Sequence, residues 1–266
     1  MTTVGDLVQW LSAIAPLSLS EAWDNTGLLV GDPALEVKRV MTCLTLTDPC
    51  VREAVEERAD FVVTHHPLPF RPLSRLVTED WTGRRLWMLV THSIAVYSPH
   101  TAWDSAARGI NAQLAALLGA EELRPLVPRN ADELSELGAG RIGTLPQPVD
   151  FSTIARRLTD ALPHARPRGV VTKRQIRQVA IACGSGGSLL DAAIAAHADM
   201  MVTGEATYHA CLEAEAAGVG LLMVGHYASE RFAMENLASW MREHFAGLTV
   251  WAARSEADPV QELRYR

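Results

Sequence analysis

The chain has 266 residues, of which 48% are hydrophobic and 21% charged, and its formal charge is −7 at neutral pH. This is the composition of a globular protein of one large or two small domains, and its acidity without a basic, aromatic-rich face argues against nucleic acid as the main partner. No apolar run reaches the ~18 residues of a membrane span and the N-terminus lacks a secretory pattern, so we expect a cytoplasmic protein without membrane contact.

Short β-branched runs alternate with Ala/Leu-rich segments of helical period, which predicts an α/β fold. The predicted strands are Val37–Leu44, Asp60–Thr64, Ile94–Ser98, Arg141–Leu145, Gly169–Thr172, Val179–Cys183, Met200–Thr203, Leu221–Val224 and Leu248–Trp251. The predicted helices are Val4–Ile14, Pro49–Arg58, Trp81–Thr91, Ser105–Leu118, Phe151–Leu162, Leu189–Ala196, Tyr208–Ala217 and Ser229–Phe245. The most linker-like stretch is Arg124–Gly140, which is rich in Pro, Asn and acidic residues.

A strand–helix–strand pattern occurs twice in the chain. Val40–Leu44, a helix and Ala59–Thr64 align without gaps on Val179–Cys183, a helix and Ala198–Thr203. Both second strands contain Ala-Asp, three apolar residues and Thr. Repeated βα units of this kind are a sign of internal duplication.

A second match follows in the same order. His100-Thr-Ala-Trp-Asp104 is echoed by His226-Tyr-Ala-Ser-Glu230, each a His with an acid four residues later, directly after an apolar strand. Either match alone could arise by chance, but two in one order favour duplication. We therefore predict two related α/β halves, residues 1–126 and 127–266.

Histidine and acidic residues stand where strands end. Ligands of parallel α/β sheets bind at the carboxyl ends of the strands, where loops and helix N-termini meet. Four such ends carry these residues: VVTHH with His65 and His66, AVYSPHTAWD with His100 and Asp104, MVTGEATYH with Glu205 and His209, and LLMVGHYASE with His226 and Glu230. Imidazole and carboxylate together suit zinc, iron or manganese, and with five or more candidate ligands two metal ions fit more easily than one.

Each of these residues also has a simpler interpretation. A single His beside a strand more often caps or hydrogen-bonds, and His226 with Glu230 could be an ordinary surface pair. The pair His65 and His66 is harder to explain in this way. Alternation along a strand would point the two rings to opposite faces, but Pro67 favours an end to the strand, so that both could serve one site.

The Gly-rich turn Cys183–Ser188 follows a strand and opens a helix. Its backbone amides could hold an anion, although it matches neither a dinucleotide-binding nor a P-loop pattern, and a plain tight turn is the simpler interpretation. The four cysteines are scattered and no Gly-x-Ser-x-Gly elbow is present, so the sequence gives little reason to expect covalent catalysis.

Taken together, the motifs resemble one family. The segments EAWDNTGLLVGDP, VVTHHPLPF, SPHTAWDSAARGIN, GRIGTL, CGSGGS, MVTGEATYH and VGHYASER occur in the order found in the Nif-three-like family, also known as the GTP cyclohydrolase 1 type 2 family. The resemblance covers nearly the whole chain and fits the short bacterial form, without the domain that some relatives insert between the halves. It implies two intertwined α/β domains with mixed sheets, a dinuclear divalent-metal centre and a toroidal homohexamer.

The resemblance also assigns residues. It places metal ligands at His65, His66, Asp104, His226 and Glu230. It places His100 and His209 close to the metals, so they are the predicted catalytic residues. Where the family usually has Thr-Gly-Asp, this chain has Thr203-Gly204-Glu205, one methylene longer.

Two functions from different classes remain after this reasoning. The first is a metal-dependent hydrolase of the GTP cyclohydrolase type 2 kind, with two zinc, iron or manganese ions per subunit and a small-molecule substrate that is a nucleotide, a related heterocycle or a phosphorylated compound. The second is a non-enzymatic metal-binding or regulatory interaction protein. Ligand type alone does not separate them.

Overall fold

Two mixed β-sheets organise the chain, which the computed structural model describes over residues 1–129 and 137–261. The strands are β1 (Gly27–Val30), β2 (Arg39–Cys43), β3 (Phe61–Thr64), β4 (Ala95–Ser98), β5 (Glu121–Arg124), β6 (Val127–Pro128), β7 (Gly138–Ala139), β8 (Arg141–Val149), β9 (Arg168–Val170), β10 (Ile176–Ala182), β11 (Met200–Thr203), β12 (Gly220–Met223) and β13 (Thr249–Ala252). The helices are α1 (Val4–Ile14), α2 (Asp48–Glu56), α3 (Trp81–Thr91), α4 (His100–Ser105), α5 (Ile110–Leu118), α6 (Phe151–Ala161), α7 (Leu190–Ala195), α8 (Tyr208–Ala217) and α9 (His226–His244). No helix among these described residues is both long and apolar enough to cross a membrane.

The two sheets exchange strands from opposite parts of the chain. The first has the order β1-β4-β3-β2-β13, so the last strand of the described chain lies beside β2, parallel to it. The second has the order β5-β8-β10-β11-β12-β9, and its edge strand β5 comes from the first half. Parallel and antiparallel pairs occur in both sheets. The predicted intertwined α/β fold with mixed sheets is thus confirmed, while the division at residue 126 stays a prediction.

The duplication is visible in both topology and hydrogen bonding. The strands β1 to β4 and β9 to β12 follow the same order along the chain, with three parallel strands and an antiparallel first strand at the edge. Asp60 and Asp199 occupy equivalent positions, and each carboxylate accepts two consecutive backbone N–H groups of the neighbouring strand. Thr64 and Thr203 end the central strands, and each hydroxyl donates to the carbonyl two residues later.

Helices cover both faces of each sheet because the strands are apolar on both faces. Side chains alternate along a strand, so Val40 faces the core between the sheets while Met41 faces the outer core beneath α2 and α3. The corresponding outer core of the second sheet lies beneath α7 and α8. The central core combines residues of both sheets with α1, α5, α6 and α9, which fixes the two sheets relative to each other.

Two helix starts differ from the sequence prediction by more than one residue, and both differences concern the site. The predicted helix Ser105–Leu118 is wrong, because the chain forms α4 and α5 with a turn between them. Gly109 makes this turn possible, since a Cβ there would lie 1.7 Å from the carbonyl oxygen of Trp103. The helix predicted from Ser229 begins instead at His226. Both histidine–acid pairs of the repeat consequently lie in the first turns of helices that follow strands.

Four short strands, β1, β5, β6 and β7, are absent from the predicted set. They have two to four residues each, and β5 and β6 are mostly exposed, so neither length nor apolar alternation marks them. The linker-like stretch Arg124–Gly140 contains β6 and β7, and its residues 130–136 lie outside the described part of the chain.

Candidate metal centre

The predicted ligands come together where strands of both sheets end. His65 and His66 follow β3, α4 follows β4, and α9 follows β12 of the other sheet. These ends border a cavity of about 990 Å³. Because the two sheets are locked by a common core, residues more than 120 positions apart in sequence meet here.

One carboxylate contacts three imidazoles. The Oε2 atom of Glu230 lies 3.2 Å from Nε2 of His66 and 3.1 Å from Nε2 of His226, and its Oε1 atom lies 3.8 Å from Nε2 of His65. The same His65 nitrogen is 3.6 Å from Oδ1 of Asp104. All five predicted metal ligands therefore occupy one site.

Within this site, two groups of three residues have donor atoms that all lie within 4.8 Å of one another. The first consists of His65, His66 and His100, and the second of His66, His226 and Glu230. His66 belongs to both groups. His100, predicted as catalytic, thus lies among the candidate ligands. This His/Glu cluster could hold a metal ion.

His65 is the residue that fits a cation best. Its side chain is fully buried, and neither ring nitrogen has a hydrogen-bond partner among the described residues. Burial lowers the pKa of His65 well below its usual value, so the imidazole is neutral. A buried polar group without a partner costs about 1–3 kcal/mol, and a neutral imidazole nitrogen is a ligand for borderline divalent metals. The residues present fit such an ion.

The two carboxylates are buried close to each other. Burial and the negative charge of Glu230 raise the pKa of Asp104 to about 7. Burial opposes ionisation of Glu230 as well, but hydrogen bonds with His226 and His66 outweigh it and hold the pKa of Glu230 well below its usual value. A bound cation would favour the ionised form of both carboxylates.

The outer ring nitrogens of two histidines are held by neighbouring side chains. Nδ1 of His66 lies 2.7 Å from Oγ1 of Thr45, and Nδ1 of His226 lies 2.9 Å from Oε1 of Glu205. Ser185 donates a further hydrogen bond to Glu205. Such contacts orient the other ring nitrogen of each His toward the site. The residue that departs from the family pattern, Glu205, therefore orients a candidate ligand.

His100 is held by Asp24, which sequence reasoning missed. Nδ1 of His100 is 2.7 Å from Oδ1 of Asp24, while the other oxygen accepts from the backbone and hydroxyl of Thr101. Burial would raise the pKa of Asp24, but these hydrogen bonds lower it to about 2. The backbone of His100 has φ +31°, a strained conformation of the kind that clusters at functional sites. Asp24 lies in the EAWDNTGL segment, but no spacing rule links it to a residue 76 positions away.

The Gly-rich turn packs directly against the carboxylates. The thiol of Cys183 donates to Oδ1 of Asp104, and the N–H of Gly184 donates to Oγ of Ser229. Gly184 has φ +56°, and a Cβ there would lie 2.2 Å from Oε1 of Glu230. Of the two interpretations of this turn, the structure favours a tight turn that leaves room for a carboxylate.

Replacing Gly184 with alanine is expected to weaken metal binding about tenfold or more, because the new methyl group displaces the Glu230 carboxylate. The strained backbone should also lower the free energy of unfolding by about 1–3 kcal/mol. Titration with a divalent metal and thermal melting measure the two effects. Gly119→Ala is the matched control, since Gly119 has φ +69° but nothing within 4 Å of a Cβ. Equal metal affinity in both variants would show that the close approach to Glu230 has no importance.

His209 lies apart from both ligand groups. It is exposed in the first turn of α8 and lines a second cavity of about 540 Å³, whose wall includes Ser185 and Glu205. These two residues also connect this wall to His226. The catalytic role of His209 stays a prediction.

Metal affinity is expected to rise with pH between about 6 and 9. Burial alone would lower the pKa of His226, but its hydrogen bonds with Glu230 and Glu205 raise it to about 9, and the pKa of Asp104 is raised to about 7. In the metal-free protein at pH 7 His226 is protonated and Asp104 half protonated, so a binding metal must displace about one to two protons. Calorimetry in buffers of different ionisation enthalpy measures this release. A pH-independent affinity over this range would contradict the assignment of His226.

The comparisons with known proteins agree with the family resemblance and with the fold. The family model Duf34/NIF3 (NGG1p interacting factor 3) matches residues 2–259. A Clostridium perfringens protein named GTP cyclohydrolase 1 type 2 homolog is 30% identical over 261 residues, covering 97% of this chain and 98% of its own length. NIF3-like protein 1 of Drosophila melanogaster is 36% identical over 231 residues, covering 85% of this chain and 77% of its own length.

A solved structure has the same fold. Staphylococcus aureus protein SA1388 superposes with a TM-score of 0.85 at 25% identity, and the match covers 98% of this chain and 99% of that one. The family model spans nearly the whole sequence, and a full-length relative reaches 30% identity. The chain therefore belongs to the Duf34/NIF3 family.

Proposed function

We propose that the protein is a metal-dependent hydrolase with a dinuclear centre, acting on a nucleotide or a related heterocyclic or phosphorylated compound. The observation that carries this proposal is the pair of overlapping ligand groups that share His66 at the wall of a large cavity. Cavities of this size suit small molecules. A purely structural metal would not need such open space beside it.

His65, His66, Asp104, His226 and Glu230 would hold the two ions. Nitrogen and oxygen donors of this kind suit zinc, iron or manganese. When bound, the ions lower the pKa of coordinated water and polarise the bond to be hydrolysed.

The chain's own side chains position the reaction. Asp24 fixes the proton of His100 on Nδ1, which leaves Nε2 of His100 to face the candidate ligands. Glu205 performs the same task for His226. By resemblance, His209 would contact substrate or exchange protons from the adjoining cavity, since an imidazole titrates near neutral pH.

The names of relatives suggest the reaction class. The Clostridium perfringens relative is named as a homolog of GTP cyclohydrolase 1 type 2, so hydrolytic opening of a nucleotide ring is the nominal reaction. This name belongs to a relative, and we therefore propose the broader substrate class for this chain.

A second candidate is a non-enzymatic metal-binding or regulatory protein. The exposed apolar side chains of Trp87 and Val90 on α3 favour it, because apolar surface of this kind often marks a protein contact. The same surface would suit the homohexamer that the resemblance predicts.

Metal analysis of the purified protein, followed by a hydrolysis screen on nucleotides and phosphate esters, tests the proposal. Wild type should hold close to two ions per chain, and His65→Ala should lose metal together with any hydrolysis. The control is His92→Ala, because His92 is exposed and bonds only within its own region of the chain. Metal retained by His65→Ala would reject the site. Metal lost without any hydrolysis by wild type would favour the second candidate.

A further inference from the structure

Two exposed aromatic rings stand beside the candidate metal centre. Trp23 is 62% exposed and Phe70 is 42% exposed, and both line the same cavity as His66 and Glu230. Their ring centroids are 6.0 Å apart with planes inclined at 60°. Each ring also meets His100 edge-on, at centroid distances of 6.2 and 6.3 Å. The rings thus form a corner next to the residues that could hold the metal.

The loops that carry these rings are anchored although the rings are exposed. The side-chain amide of Asn25 donates to the carbonyl of Pro69 at 2.7 Å, which ties the Trp23 loop to the Phe70 loop. Asp24, between Trp23 and Asn25 in the chain, binds His100 and Thr101. The fold therefore holds two apolar surfaces in water at a fixed position, where a bound ring would cover them.

A positively charged side chain lies next to this corner. The guanidinium of Arg71 is 5.9 Å from the centroid of the Phe70 ring and lines the same cavity. Arg85 lines it too, but it pairs with Asp48 and lies over the ring of Trp81. In the described part of the chain, no acidic side chain lies within ion-pair distance of Arg71. This guanidinium is available to an anionic group of a ligand.

We propose that Trp23 and Phe70 bind a planar aromatic ring and that Arg71 binds an anionic group of the same molecule. A ring placed in the corner stacks on one aromatic side chain and meets the edge of the other, which are the two preferred geometries of aromatic pairs. Of the substrate classes in the proposed function, the cavity then selects ring-bearing anions over phosphorylated compounds without a ring. The inference rests on the proposed function only for the claim that such a ligand is hydrolysed.

Binding of three probes to the metal-loaded protein tests this assignment. The probes are adenosine 5′-monophosphate, which has ring and anion, adenosine, which has only the ring, and ribose 5-phosphate, which has only the anion. Trp23→Ala and Phe70→Ala should each lower the affinity for both adenosine probes by about tenfold and change the affinity for ribose 5-phosphate by no more than about twofold. Trp23→Phe, which keeps a ring, should retain most of the affinity. Trp87→Ala is the control, because Trp87 is also exposed but does not line the cavity.

The role of Arg71 has its own readout. Wild type should prefer adenosine 5′-monophosphate over adenosine by about tenfold, and Arg71→Ala should abolish this preference while leaving the affinity for adenosine unchanged. A preference that survives Arg71→Ala would show that the anion binds elsewhere. Two results would overturn the proposed ring site. One is that Trp23→Ala weakens the binding of all three probes equally and Trp23→Phe does not restore it. The other is that wild type binds neither adenosine probe.

Metal content and hydrolysis, measured on the same samples, keep the two proposals apart. Ring binding that depends on Trp23 without hydrolysis of any nucleotide rejects the hydrolase and retains the ring site. If nucleotides are hydrolysed but Trp23→Ala and Phe70→Ala bind the adenosine probes as tightly as wild type, the ring site is rejected and the hydrolase is retained.

Discussion

Replacing Glu230 with glutamine is expected to lower metal affinity by at least about 100-fold, the largest loss of any single substitution at this site. Glutamine keeps the shape of the side chain but removes its charge and one acceptor oxygen. Glu230 is 3% exposed and lies within 3.8 Å of three imidazoles, so no other described carboxylate contacts as many candidate ligands. Competition with a chromophoric chelator measures the affinity.

The same variant should change the pH dependence of the metal that still binds. The hydrogen bond with Glu230 is the strongest influence that raises the pKa of His226, against the opposing effect of burial. Without this carboxylate the pKa of His226 falls, so the imidazole loses its proton at lower pH. The metal affinity of Glu230→Gln should therefore stop rising at a lower pH than that of wild type, for which the rise ends at a pH of about 9.

Glu235→Gln is the matched control for this experiment. Glu235 lies on the same helix, its side chain is mostly exposed, and among the described residues it pairs only with Arg231, which keeps its ion pair with Glu256. Its replacement should leave metal affinity unchanged. If Glu230→Gln bound metal as tightly as this control, the cluster around Glu230 would not be the metal centre.

The sequence predicts well which histidine and acidic side chains come together, because their signals are local. His65 and His66 adjoin Pro67 at the end of an apolar strand, and a His with an acid four residues later recurs after two other strands. Strand ends of a parallel sheet converge, so local patterns at several strand ends predict a common site. The duplication is predicted for the same reason, since it preserves the order of strand, helix and strand.

Features that depend on contacts between distant segments escape such reasoning. The pairing of β13 with β2 joins the end of the chain to its beginning, and no local pattern encodes it. No local pattern encodes the hydrogen bond between Asn25 and Pro69 either, and this bond places Trp23 beside Phe70. The break between α4 and α5 depends on how closely Gly109 approaches Trp103, which periodicity does not report.

Among the residues of the candidate site, Asp24 is the one for which a contact between distant segments matters most. The notion of His100 as an isolated catalytic residue omits the carboxylate that holds its Nδ1 proton. A carboxylate in this position fixes the tautomer of the ring and therefore decides what the other nitrogen can do.

Asp24→Asn is accordingly expected to lower metal affinity or hydrolysis by about 10–100-fold. The asparagine oxygen can still accept from Thr101, and its NH2 group then faces Nδ1 of His100. This arrangement moves the His100 proton to Nε2, so the nitrogen directed at the candidate ligands carries a hydrogen instead of a free lone pair. Metal titration measures the loss, and ¹⁵N chemical shifts of the histidine rings report the tautomer. Asp32→Asn, in which only a local turn contact changes, is the control. An unchanged tautomer with full metal affinity would show that Asp24 serves only to hold the Trp23 loop in place.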